Sequence, residues 1–230
     1  MRIALIVSVV LNLVLAASVF GVWAVGPMAV TQLEDVAERE QRISLHELTP
    51  ISQGDIVLAG DDMLARGPWG DVFRHYTVFL RNRAIVGENC IQLRERLNAW
   101  TQHSTSSENE FGRVLIISCG ANDLAQKIEE RRSVHALAAM LDLAAAKSPS
   151  TRVVVVGLVP QQGMAQQIIA KRNSALKAVA AARNISFINL TSSLGARDGG
   201  LQPIFATPLG RLNGEGYRLI AERLAPYLRP

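Results

Sequence analysis

Histidine and cysteine are both scarce in this chain: four histidines and two cysteines in 230 residues. Aromatic residues are also few, at 5%. The cysteines, Cys90 and Cys119, lack the spacing of a zinc site, so neither a metal nor a cofactor is expected. Both fall in apolar surroundings and read as small buried thiols, and nothing in the sequence says whether they pair. No basic block with interleaved aromatics occurs. The net charge of +4 is carried by scattered arginines, which reads as a solvated basic surface and leaves nucleic acid out as a partner. No internal repeat is visible. The single low-complexity patch, STSSENE at 104–110, reads as an exposed loop.

The most informative absence is of charge. From Ile3 to Leu33 no side chain is charged, a run longer than the ~20 apolar residues that cross a bilayer. Arg2 precedes it; Glu34, Asp35 and Glu38 follow. This asymmetry places the start of the chain in the cytoplasm and the remainder outside. A cleaved signal peptide is the rival reading, but its apolar region is ordinarily roughly 7–15 residues. The expectation is an uncleaved anchor over residues 1–30, with Trp23 suited to the membrane interface. A polar tether over 31–52 follows, then one folded domain over 53–230. Hydrophobic residues at 49% against charged residues at 19% exclude a disordered chain, and this length supports one sizeable core.

Within the domain, short apolar runs alternate with helical patterns. Strands are expected at Ile56–Ala59, Arg83–Val86, Val114–Ser118, Val153–Val156 and Ile185–Leu190. Helices are expected at Ile91–Trp100, Ser133–Lys147, Met164–Arg183 and Glu215–Leu228. Continuous apolar strands separated by helices predict a five-stranded parallel sheet covered on both faces. Ligands of such sheets bind outside the carboxyl ends of the strands, where strand order reverses. The residues just after each strand therefore matter most. They are Gly60-Asp61-Asp62, Gly87-Glu88-Asn89, Gly120-Ala121-Asn122-Asp123 and Pro160.

Four of these features, taken in order, resemble the SGNH (GDSL-like) hydrolases. They are Gly60-Asp61-Asp62, the lone Gly87, Gly120-Ala121-Asn122-Asp123, and Leu212-Asn213-Gly214-Glu215-Gly216-Tyr217 before the last helix. The resemblance runs from about residue 54 to the end. It implies a flavodoxin-like α/β fold with the first strand central, and acyl-ester hydrolysis. In that family a serine attacks, a histidine near the last helix is the base, and an aspartate three residues earlier orients it. The oxyanion is held by the backbone of the serine and the lone glycine, and by the asparagine side chain. A hydroxyl needs such a base to become a nucleophile, and the developing oxygen charge needs preorganised donors.

This chain departs from the pattern at each triad position. Asp62 stands where the serine belongs, Arg211 where the histidine belongs and Pro208 where the aspartate belongs, while Gly87 and Asn122 are retained. Guanidinium keeps its proton in proteins, so Arg211 is no base. The histidines, His46, His75, His103 and His135, lie outside the four blocks. Asp62, Gly87, Asn122 and Arg211 are thus candidate ligand-binding or oxyanion-hole-like residues, with no catalytic residue expected. Gly87 is also read as kept only for its turn, and Asn122 as a helix cap. Asp61 is read as a brace for its own turn. The paired replacement predicts an Asp62–Arg211 ion pair across the former catalytic gap, directly or through one water.

The resemblance, the lost triad residues and the charge-free run from Ile3 to Leu33 together lead to the expectation of a membrane-anchored pseudo-hydrolase in the cell envelope. It would face the periplasm or cell exterior from a bacterial inner membrane, binding an acylated or glycan ligand or an envelope protein partner. The alternative is an active esterase or acyltransferase with relocated catalytic residues.

Overall fold

The computed structural model describes residues 36–46, 48–74, 79–103, 110–197 and 199–229. The chain divides into two compact units, Met1–Glu47 and Leu48–Pro230. In the first, the described residues 36–46 are helical. The anchor expected over 1–30 lies outside the described residues. Among those that are described, no helix is long and apolar enough to cross a membrane.

The second unit is built on a five-stranded parallel sheet. Its strands are β1 (Ile56–Gly60), β2 (Leu80–Asn82), β3 (Val114–Ser118), β4 (Arg152–Val156) and β5 (Ser186–Ile188), ordered β2-β1-β3-β4-β5. The helices are α1 (Asp62–Ala65), α2 (Trp69–Val72), α3 (Cys90–His103), α4 (Ala121–Ala125), α5 (Glu130–Lys147), α6 (Gln166–Ala181), α7 (Thr191–Leu194) and α8 (Gly214–Leu228). β1 and β3 are buried along their whole length, as their unbroken apolar sequences require. Alternate side chains on each strand point to opposite faces, and two cores result. Ile56, Leu58, Ile116 and Val154 pack with Leu64 of α1, Trp69 of α2 and Ile220 of α8. Val57, Ala59, Leu115 and Val155 pack with Leu93 of α3, Leu137 of α5 and Leu176 of α6.

Two expectations need correcting. The second strand lies at Leu80–Asn82, not Arg83–Val86. Ala84, Ile85 and Val86 are buried, and burial, not strand geometry, explains their apolar character. The chain beyond β2 still leans on β1, with Arg83 N donating to Leu58 O (2.7 Å) and Ile85 N to Gly60 O (2.8 Å). The Asn82 side chain accepts from Ala84 N and donates to Leu64 O. The first strand is internal but second in order, and β3 is the middle strand. The chain passes from β1 outward to β2, then crosses back to β3. Strand order therefore reverses between β1 and β3, where a parallel sheet opens a crevice for ligands.

Candidate active site

The switch point sets the blocks side by side. β1 ends at Gly60, and a Cβ there would lie 2.1 Å from Ser118 O of β3. Only glycine lets the two backbones approach so closely. Asp61 N then donates to that same carbonyl (3.1 Å). The Asp61 side chain caps α1, accepting from Met63 N (3.4 Å), which braces the turn. It is only 2% exposed. Burial first, and then the neighbouring Asp62 charge, push its carboxyl up to about 8 against the backbone donors of Met63 and Ala121.

Asp62 is the first residue of α1, and its side chain is 39% exposed. Its Oδ2 accepts from Gly87 N (2.9 Å) and from Asn122 Nδ2 (2.8 Å). Its Oδ1 lies 3.5 Å from Arg66 Nε, one turn further along α1. The carboxylate therefore occupies the point where two donors from separate loops converge. Gly87 holds φ at +77°, and no atom lies within 4 Å of a Cβ built there. The glycine thus serves backbone conformation, not close packing. Asn122 is the second residue of α4, while Gly120 occupies the cap. Its amide reaches across to Asp62 and to Glu88 O (3.0 Å).

A supporting shell fixes both donors. Glu88 is buried and forms a two-pronged pair with Arg96, at 2.7 and 2.5 Å. The Arg96 guanidinium stacks over Trp100 at 4.8 Å. Gln126 donates to Gly87 O (3.3 Å) and accepts from Asn89 Nδ2 (2.8 Å). Asn89 Oδ1 accepts from the first amides of α3. Cys90 and Cys119 form a disulfide with Cα atoms 5.2 Å apart, so the reading of two buried thiols is corrected. The bond ties the start of α3 to the end of β3, and hence the Gly87 loop to the Asn122 loop. Asp123 accepts from Cys90 N (2.9 Å) and Ser133 Oγ (2.5 Å), and Ser133 Oγ accepts from Arg172 (2.6 Å). Arg172 is 4% exposed.

The turn carrying Pro208 and Arg211 closes through Thr207 N to Arg211 O (2.7 Å), Gly210 N to Thr207 O (2.8 Å) and Arg211 N to Thr207 Oγ1 (3.2 Å). Arg211 is exposed. Burial raises the pKa of the nearby Tyr217 hydroxyl, with smaller and opposing contributions from Arg66, Asp62, Arg211 and Asp61. The guanidinium beside Asp62 is nevertheless that of Arg66, and the expected direct ion pair with Arg211 is not formed. An aspartate and an arginine four apart on one helix are natural neighbours. That spacing was readable at positions 62 and 66, whereas a partner on a distant turn depended on loop geometry.

The family model described as GDSL-like lipase/acylhydrolase matches residues 59–219, a span that takes in every residue named around Asp62. Among solved structures, the chain is similar to a protein from Streptococcus pneumonia provisionally described as a platelet activating factor. The TM-score is 0.74 at 21% identity, covering 88% of this chain and 99% of that one. It is also similar to a GDSL-like lipase from Bacteroides thetaiotaomicron, with TM-score 0.67, 19% identity and coverage of 84% and 97%. For an acylhydrolase, also provisionally described, from Bacteroides fragilis, the values are 0.63, 21%, and 83% and 95%. At these identities the likeness is one of fold. No curated protein matches the chain.

Proposed function

Since the chain belongs to the GDSL-like lipase/acylhydrolase family, we propose that it is a membrane-anchored, extracytoplasmic member that binds its ligand without turning it over. The observation that carries this reading is the position of Asp62 Oδ2, within hydrogen-bond distance of Gly87 N and Asn122 Nδ2 together. Donors of this kind accelerate acyl transfer by meeting an oxygen that becomes negative only in the transition state. Here they meet a carboxylate. An ester carbonyl would have to displace a charged, doubly bonded acceptor before it could be polarised. Among the described residues the proton traffic is missing as well. Arg211 cannot accept a proton and Pro208 has no acid to orient a base. His135, the one histidine of the second unit whose side chain is described, is exposed on α5. Loss of a nucleophile or its base lowers turnover by about four to six orders of magnitude.

Two observations support an envelope location. One is the charge-free run from Ile3 to Leu33. The other is the Cys90–Cys119 disulfide, a bond that persists in oxidising compartments and is rare in the cytosol. Digestion of the domain by protease added to spheroplasts is the expected outcome, and a released soluble form starting near residue 25 would overturn the anchor.

Hydrolysis of short-chain aryl esters by the purified full chain tests the reading. The expected rate is that of buffer. Turnover abolished by Asp62→Ala would make Asp62 a nucleophile and replace this reading with that of an active esterase. Turnover unchanged by it would point to a contaminating enzyme.

A further inference from the structure

We propose that residues 49–52, the last of the expected tether, form a strap latched to the domain by Arg83, and that releasing it loosens the Gly87 donor of the site. The device stands whether or not the site turns a ligand over. Side chains alternate along paired strands, and Val57 of β1 lies beside Arg81 of β2. Asp55, Val57 and Ala59 therefore share a face with Arg81 and Arg83, the face on which Leu93 of α3 packs. The strap is held there at three points. Arg83 Nη2 donates to Thr49 O. Ile51 packs against the core on the α3 side. Ser52 N donates to Asp55 Oδ2 (2.7 Å), and Asp55 N donates back to Ser52 O (2.9 Å). Asp55, itself buried, pairs with Arg81 Nε at 3.2 Å.

Arg83 is the unusual member of this arrangement. It is 3% exposed. Arg81 is matched by Asp55 and Arg96 by Glu88, but among the described residues Arg83 has no carboxylate partner. Its Nε is buried without a hydrogen bond, so the strap carbonyl is the one acceptor its guanidinium meets. Burial first, and then the charges of Arg81 and Arg96, lower its pKa to about 10, which leaves it charged at neutral pH. A buried charge without a bonded partner is costly. Lifting the strap therefore drives the guanidinium toward water, and two states result: strap docked with Arg83 inside, and strap released with Arg83 outside. Arg83 also begins the segment that ends at Gly87. Arg83 N and Ile85 N hold that segment to Leu58 O and Gly60 O of β1, and two residues later Gly87 N donates to Asp62 Oδ2. A side chain leaving the face at residue 83 pulls on the backbone that aims this donor.

Nuclear magnetic resonance of the isotope-labelled full chain in detergent micelles tests this with two variants. Arg83→Met removes the latch and keeps an apolar side chain of similar length. Ile51→Ser weakens the strap from its own side; Ile51 is only half-buried, so this variant keeps the core if Arg83→Met does not fold. Exchange of the Leu115, Ile116 and Ile117 amides, in the buried middle of the sheet, is the internal reference for global opening. In both variants the Ser52 and Asp55 amides should exchange at least about tenfold faster relative to that reference, which corresponds to ~1.4 kcal/mol. The Gly87 amide resonance should move toward its position in Asp62→Ala, where the carboxylate acceptor is absent, by more than the spread of shifts among the Val154, Val155 and Val156 amides. Strap amides that exchange as in the native chain would overturn the latch. Strap amides that are freed while the Gly87 resonance stays in place would overturn its hold on the site.

Discussion

Asp61 links the site to stability through its proton. Its carboxyl is pushed from an ordinary value of 3.8 up to about 8, mainly by burial and secondly by Asp62. Below pH 3.8 the folded and unfolded chains both hold this proton. Between pH 4 and 8 the folded chain keeps it while the unfolded chain releases it, and above 8 both have lost it. Stability from this group is therefore greatest in acid and declines as pH rises, by about 1.4 kcal/mol per unit. Over the whole interval the decline is about 6 kcal/mol, the product of that slope and the shift. Asp61→Asn removes the ionisation and keeps a side-chain oxygen for Met63 N. Denaturant unfolding of the full chain and the variant at pH 5, 6, 7, 8 and 9 isolates the effect, because other titrating groups are common to both and cancel in the difference. The variant should gain on the native chain by about 4 kcal/mol between pH 5 and 8, with no further change above. Parallel stability profiles across that range would refute a buried, protonated Asp61.

Replacing Cys90 and Cys119 together by alanine opens a cross-link between residues 29 apart in sequence. The variant should lose about 3–4 kcal/mol in unfolding experiments, and alkylation with mass analysis of the native chain should find no free thiol. Asp62→Ala leaves Gly87 N and Asn122 Nδ2 without their shared acceptor. It should lower stability by about 1–3 kcal/mol, with formate at high concentration recovering part of the melting temperature; an unaffected variant insensitive to formate would mean that the carboxylate does not fill the donor pair. A double-mutant cycle of Asp62→Asn with Arg66→Gln should show a coupling below about 1 kcal/mol, as the half-exposed pair implies. The same cycle with Arg211→Gln should be additive. Glu88→Gln strips the charge from a buried pair with Arg96 and should cost about 3–5 kcal/mol by thermal or denaturant melting.

The parts legible in the sequence are those whose signal is local. β3 was readable to the residue, because Val114–Ser118 is a short run rich in β-branched residues and buried along its whole length. β2 was displaced by three residues because Ala84, Ile85 and Val86 are as apolar as a strand, while the true pairing begins at the half-exposed Leu80. The meeting of Asp62, Gly87 and Asn122 followed from their places just after β1, the segment beyond β2, and β3, since a parallel sheet gathers such residues at one edge. The disulfide was not legible, because two cysteines 29 residues apart carry no spacing signal and meet only when α3 and β3 are placed. The Arg172–Ser133–Asp123 chain draws on α6, α5 and α4, and no local pattern announces a contact made by three elements. Arg66 was missed for a different reason. Its spacing from Asp62 was available, but the family pattern drew attention to Arg211 instead.

Why an aspartate at position 62, and not a small inert residue, follows from the donors it meets. Gly87 N and Asn122 Nδ2 are aimed at one point by structure that also holds the domain together: the disulfide, the Glu88–Arg96 pair and the Gln126 contacts. Dismantling the donor pair would disturb all of these. Leaving it empty would strand two convergent donors, at about 1–3 kcal/mol for each that water does not reach. A carboxylate at the head of α1 supplies the missing acceptor, and it is charge-assisted, which makes such bonds roughly twice as strong as neutral ones. The helix adds its own preference, since negative charge is favoured in a first turn. On the proposed reading, the donors that would meet a transient oxyanion in a hydrolase are satisfied here by a permanent one. The same side chain then accounts for both the retained geometry and the silent chemistry.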